Sequence, residues 1–228
     1  MKWRHCLKTS YKTIGIIVIL LAAGILAASQ TGLLPGMNGP AGKVLTAVEK
    51  KNCGITAEVT EGPFFVSGTG ALADGNLNFS NLPGDPLSVS GHVYDGLDTA
   101  KPLSNAKVEI WHADNSGSYH PNGNGPTANY KPEEIALRGF VLTDATGAYR
   151  FTTVYPGEYS GRTRHIHFKI TAAGFPELTT QLIMPAKPGD ALTFDDDTVS
   201  KGLPDCQLLK VDTSTTPASA NFDFHVSK

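Results

Sequence analysis

The sequence predicts a mainly β protein, an antiparallel β-sandwich or barrel-like core with long loops and little helix. Three observations carry that prediction. Short apolar or alternating runs recur from Thr56 onward, the turn clusters PGD, DATG, YPGE and PGDA punctuate them, and no segment holds a long apolar period of 3.6 residues. The first run, LSVSGHVYD (87–95), alternates apolar and polar residues. AKVEIWHAD (106–114) and LRGFVLTD (137–144) are rich in the branched and aromatic residues that suit a pleated surface. GAYRFTTVY (147–155) lies between the turn clusters DATG and YPGE, and RHIHFKITA (164–172) and ELTTQLIMP (177–185) complete the set. The stretch 115–136 (NSGSYHPNGNGPTANYKPEEIA) is long and rich in Gly, Pro and Asn. Long ordered loops of this kind often carry function.

Ahead of these runs, residues 1–12 carry Lys2, Arg4, Lys8 and Lys12 and no acid, and residues 14–28 are almost wholly apolar. Ala27 and Ser29 give a small-x-small pattern before Gln30. This is the layout of an export signal. It predicts either a cleaved signal peptide (1–29), or an uncleaved N-terminal membrane anchor through residues 13–28. In both cases the body lies outside the cytoplasm, secreted, periplasmic or anchored. Residues 30–55 read as a tether, with a short helix expected near Val44–Lys51, and 56–228 as one domain. Removing the four basic residues of 1–29 leaves 15 basic and 21 acidic residues, net −6. That balance argues against a nucleic-acid partner or an anionic membrane surface. Two cysteines remain in the body, Cys53 and Cys206. In an exported chain they form one disulfide or stay as two buried thiols.

The chemistry begins in GRTRHIHFKI (161–170). Side chains of a strand alternate, so His165 and His167 share one face and Ile166, Phe168 and Ile170 the other, which is the natural core face. Two imidazoles so placed suit one metal ion, although an isolated HxH is as often a pair of exposed or hydrogen-bonded histidines. The usual companions of zinc are missing, and HxH is not the HxD or HxE of a two-histidine, one-carboxylate iron site. His112 stays open as a third histidine. The region does offer tyrosine: Tyr159 in the turn PGEYSG and Tyr119 in the loop after WHADNSG. A phenol loses its proton, with a pKa of about 10 in water, to a trivalent cation. Two phenolates with two neutral imidazoles favour Fe(III) over softer or divalent metals.

The stretches TEGPFFV (60–66), PLSVSGHVYD (86–95), AKVEIWHADNSGSY (106–119), LRGFVLTDATGAYRFTTVYPGEYSGRTRHIHFKI (137–170) and LTTQL (178–182) resemble, in order, the intradiol ring-cleavage dioxygenases, the catechol 1,2-dioxygenase and protocatechuate 3,4-dioxygenase type. The resemblance implies a non-haem Fe(III) enzyme. It places the four iron ligands on Tyr119, Tyr159, His165 and His167, the active-site arginine on Arg162 and the supporting glutamine on Gln181. It also implies that Tyr159 is displaced by the diol and accepts one of its protons. Arg162 then stabilises developing negative charge, and a cis,cis-muconate-type diacid results. Phe64 takes a pocket-edge position that is often Tyr or Leu in the family. The part ahead of the core reads as export segment and tether, as in exported single-domain members, in place of the helical dimerisation segment of the catechol 1,2-dioxygenase branch. The implied partners are a small aromatic diol and O2. Trp111 is expected in the core or the pocket wall, Arg138 as a support of the 115–136 loop, and Arg164 paired with a carboxylate. Asp195, Asp196 and Asp197 read as a solvated turn, since three adjacent acids lack calcium-loop spacing. Two other readings stand beside this one: a non-catalytic β-sandwich binding module, and a hydrolase or lyase using another metal. The intact tyrosines, histidines and Arg162 argue against the first, and no dedicated residues support the second.

Overall fold

The computed structural model describes residues 54–228. The export segment, the tether up to residue 53, and the disulfide expected of Cys53 lie outside the described residues. The strands are β1 (Val66–Ser67), β2 (Pro86–Asp95), β3 (Lys107–Trp111), β4 (Gly125–Pro126), β5 (Arg138–Leu142) and β6 (Ala148–Val154). They continue as β7 (His165–Thr171), β8 (Leu178–Ile183), β9 (Val211–Asp212), β10 (Ala218–Asn221) and β11 (Phe224–Val226). Helical structure among the described residues is limited to short 3-10 turns such as Thr127–Asn129 and Asp205–Gln207.

Two sheets build a sandwich. One has the order β5-β3-β7-β8, antiparallel throughout. The other centres on β2, which pairs antiparallel with β6 and parallel with β10 and β11, while β9 pairs antiparallel with β10. All six runs expected from the sequence form strands, and the mostly antiparallel sandwich holds. The parallel C-terminal strands are an addition. Their sequence, from Val211 to Val226, lacks a clear alternation, and they form by docking on one edge of the long strand β2.

Alternation explains the core. Leu87, Val89 and Val93 of β2 meet Ile166, Phe168 and Ile170 of β7 in one buried cluster with Val108, Ile110 and Phe151. The ring of Phe168 lies 5.9 Å from Phe151 and 5.0 Å from Phe224, so one side chain bridges both sheets. Truncating an aromatic buried to this degree typically costs about 3–5 kcal/mol. At Gly91 the chain after β10 crosses β2 so closely that a Cβ would lie 1.8 Å from the Phe222 carbonyl oxygen. Any side chain there would push the C-terminal strands off the sheet.

The second face of β7 is buried too. Residues 56–65 run across it, tied by Val59 N–H to Thr179 O (2.8 Å), Thr180 Oγ1 to Ala57 O (2.6 Å) and Gln181 Nε2 to Thr60 O (3.1 Å). Six consecutive residues, His165–Ile170, are therefore buried. Two are histidines on the face away from the core, under a cover that only tertiary structure supplies.

Candidate metal centre

The face expected to hold His165 and His167 does so. The register pairs His167 with Trp111 on one side and Gln181 on the other, and His165 with Ile183. The two Nε2 atoms lie 3.1 Å apart, and Tyr119 Oη is 3.0 Å from His167 Nε2 and 3.5 Å from His165 Nε2. His165 is fixed from behind and His167 by stacking. His165 Nδ1 faces Thr163 O at 2.6 Å, so Nδ1–H donates and the Nε2 lone pair points inward. Trp111 stacks on His167 at 4.8 Å and 9°. Burial pulls His165 down to about 3 and His167 well below the ordinary imidazole value, with neighbouring positive charge adding to the effect. Both rings are thus neutral, the form that binds metal.

The tyrosines arrive on loops. The Tyr119 loop starts at Asp114, whose carboxylate accepts Ser116 N–H (2.8 Å) and Ser118 N–H (3.0 Å) and meets His120 Nε2 (2.8 Å). Burial raises the Asp114 pKa, but His120 and these N–H donors outweigh it and hold it at about 2. The Tyr159 turn packs directly on this loop. Gly157 N–H donates to Asp114 O at 2.7 Å, and Gly117, at φ +86°, sits where a Cβ would be 1.9 Å from Glu158 O. No other residue fits at Gly117 without separating the two loops. The Tyr119 and Tyr159 rings meet edge-on at 5.1 Å, and Tyr159 lies 5.5 Å from the His165 ring.

The cluster thus joins the four residues expected to bind metal. Three inward polar atoms converge within 3.5 Å, and His167 Nδ1 is buried with no hydrogen-bond partner. Two imidazole nitrogens facing each other at 3.1 Å satisfy each other poorly, whereas a cation between them would satisfy both lone pairs. Burial and the Tyr159 hydroxyl push Tyr119 well above the ordinary phenol value, and a trivalent cation would reverse that direction. The donor set therefore fits Fe(III). No group of three or more His, Cys, Asp or Glu among the described residues is placed to hold a metal instead. His112, left open by the sequence, is not part of the cluster. Its Nδ1 faces Ala113 O at 2.6 Å and its Nε2 faces Thr153 Oγ1 at 2.7 Å, so both nitrogens are engaged.

Around the cluster, Phe64 stacks on Tyr119 at 4.5 Å and meets Tyr159 edge-on at 5.6 Å. Arg138 donates from Nε to His120 O (2.7 Å), from Nη2 to Pro121 O (2.8 Å) and from Nη1 to Phe64 O, which holds the 115–136 loop and the Phe64 segment together as expected. Arg164 pairs with Asp190 through two bonds of 2.7 and 2.5 Å. Arg162 Nη2 donates to Gln181 Oε1 at 2.6 Å, so Gln181 reaches the cluster through Arg162. One expectation is corrected. Asp195 and Asp196 are exposed, but Asp197 is fully buried and its carboxylate accepts Arg162 Nε at 3.0 and 2.8 Å. Burial raises its pKa, but Arg162 and backbone N–H groups outweigh this and keep it ionised. No local signal marks Asp197 in a run of three acids; its partner lies 35 residues away.

Residues 60–226 match a protein-family model described as Dioxygenase. The chain is 34% identical over 164 residues to catechol 1,2-dioxygenase 2 of Acinetobacter lwoffii, covering 63% of this chain and 55% of that protein. It spans about half the length of the curated relatives it matches. Among solved structures it resembles the dioxygenase domain of a dioxygenase carbohydrate-binding protein fusion from Streptomyces sp. SirexAA-E. That match has 34% identity and a TM-score of 0.62, over 76% of this chain and 98% of that one. It also resembles catechol 1,2-dioxygenase from Acinetobacter sp. ADP1, at 26% identity and a TM-score of 0.59, over 77% and 63%.

Proposed function

The chain belongs to the intradiol ring-cleavage dioxygenase family, and from that premise we propose that it uses Fe(III) and O2 to cleave a catechol-type diol between its two hydroxyls. Both oxygen atoms enter the product, so a catechol becomes a cis,cis-muconate-type diacid. The observation that supports this most is the convergence of Tyr119, Tyr159, His165 and His167 on one point beside Arg162. A non-catalytic module would have no need to keep that cluster.

Tyr119, Tyr159, His165 and His167 would hold the iron. Bound Fe(III) supplies the Lewis-acidic, redox-active centre at which diol and O2 meet. His165 and His167 stay neutral and fixed throughout, because both are buried on a strand paired on each side. Tyr159 sits in a turn where Ser160 and Gly161 have φ of 41° and 77°, so its ring can swing aside. Its oxygen then takes a proton from one diol hydroxyl. Phe64, stacked on Tyr119, gives the diol ring an apolar wall. Arg162 has Nε and Nη2 occupied, which leaves Nη1 without a protein partner among the described residues. That N–H pair is free to stabilise negative charge developing on the ring oxygens.

Oxygen uptake by iron-loaded protein across catechol, hydroxyquinol and protocatechuate tests the reading. At least one diol should consume O2 with formation of a ring-opened diacid, and the resting protein should be red-brown from phenolate-to-iron charge transfer. Colourless iron-replete protein would overturn it.

A further inference from the structure

Arg162 lies in a turn whose backbone closes on Tyr159 through bonds of 3.2 and 2.7 Å. Little in that turn would keep a long, flexible cation pointing at a bound ring. Beside it stand two phenols that become anionic once they hold iron, and a loose guanidinium would pair with them instead. The carboxylate of Asp197 is built to prevent that. It is fully buried, and it is held in place independently of Arg162 by Thr163 N–H (3.0 Å), Val199 N–H (2.9 Å) and Ser200 N–H (3.2 Å). Both of its oxygens then face Arg162 Nε. Gln181, itself fixed through Thr60 O, holds Nη2. Two edges of a rigid planar group are therefore fixed, and the plane has no freedom left.

We propose that Asp197 is a positioning residue for ring cleavage, which fixes the Arg162 guanidinium and supplies its counter-charge so that the cation stays off the phenolates of Tyr119 and Tyr159. This rests on the ring-cleavage reading above. The segment carrying Asp197 is part of the working site although it touches neither iron nor substrate.

The test is a double-mutant cycle on iron-loaded protein. Asp197→Asn should bind iron as the wild type does, lose about 10–100-fold in kcat and keep KM within about 3-fold, the pattern of a misplaced catalytic group. Its charge-transfer band should move to shorter wavelength as the released guanidinium bonds to a phenolate. Adding Arg162→Gln should return the band to its wild-type position and cost no more than about 3-fold in kcat beyond Arg162→Gln alone. Multiplying losses, or an unmoved band with iron bound, would overturn the role. If Asp197→Asn does not fold, Asp197→Glu keeps the charge and displaces the guanidinium. It should show the same split between kcat and KM, and wild-type kcat would overturn the role. The band is read without turnover. A failure to cleave any diol would therefore count against the ring-cleavage reading, and a failed band shift against Asp197.

Discussion

The two histidines and the two tyrosines of the cluster are held by different kinds of structure. His165 and His167 stand on β7, hydrogen-bonded to β3 and β8, with the sandwich core beneath and residues 56–65 above. Tyr119 and Tyr159 stand on loops that pack closely on each other. Within the loop pair there is a further step. Tyr119 is buried and its loop is tied by Asp114 and Arg138, whereas Tyr159 is half-buried in a turn with two consecutive left-handed residues. A site that must both keep a metal and admit a substrate needs groups that stay and a group that leaves. If the cluster holds iron as proposed, the first task falls to the strand and the second to the turn.

The largest break in that division comes from the strand. His165→Ala or His167→Ala should abolish iron retention on gel filtration and lower ring cleavage by about 1,000-fold or more, the several kcal/mol a metal supplies. Iron content at the wild-type level would mean the strand does not hold the metal. A smaller effect separates the two loops. Tyr159→Phe should retain iron, change the charge-transfer colour and lower kcat by about 10–100-fold, while Tyr119→Phe should lose most of its iron. Equal iron retention in the two variants would remove the distinction between a fixed and a leaving tyrosine. A third effect falls on stability and not on rate, and concerns the acid sensitivity of the fold beside the histidines. His112 is fully buried and neutral, pulled down to about 4 by desolvation. The unfolded chain takes up a proton at His112 near pH 6.5 and the folded chain does not, so stability present above pH 6.5 falls as the pH drops towards 4. The loss is about 3 kcal/mol. Urea midpoints measured across that range should fall in the wild type and fall less in His112→Gln. Parallel profiles would assign the acid sensitivity elsewhere.

Much of this was legible in the sequence, for physical reasons that can be named. Strand period fixes which side chains share a face, so His165 and His167 could be paired from HIH alone, and the core face of Ile166, Phe168 and Ile170 with them. Gln181 was legible only through resemblance, because its partners lie on other segments. Asp197 was misread. Three adjacent acids look solvated, and the Thr163 N–H and Arg162 that receive Asp197 lie 34 and 35 residues away. The C-terminal strands were missed for a related reason: their pairing partner is β2, over a hundred positions earlier, and nothing local compels them to extend.

Arg138 has a consequence for how such a protein can change. Its three hydrogen bonds around the site go to carbonyl oxygens of Phe64, His120 and Pro121, and to no side chain. Backbone oxygens survive nearly any replacement, so the Phe64 segment and the turn at His120–Pro121 can change side chains while their course stays anchored. Replacements in those segments would leave His165 and His167, on β7, undisturbed.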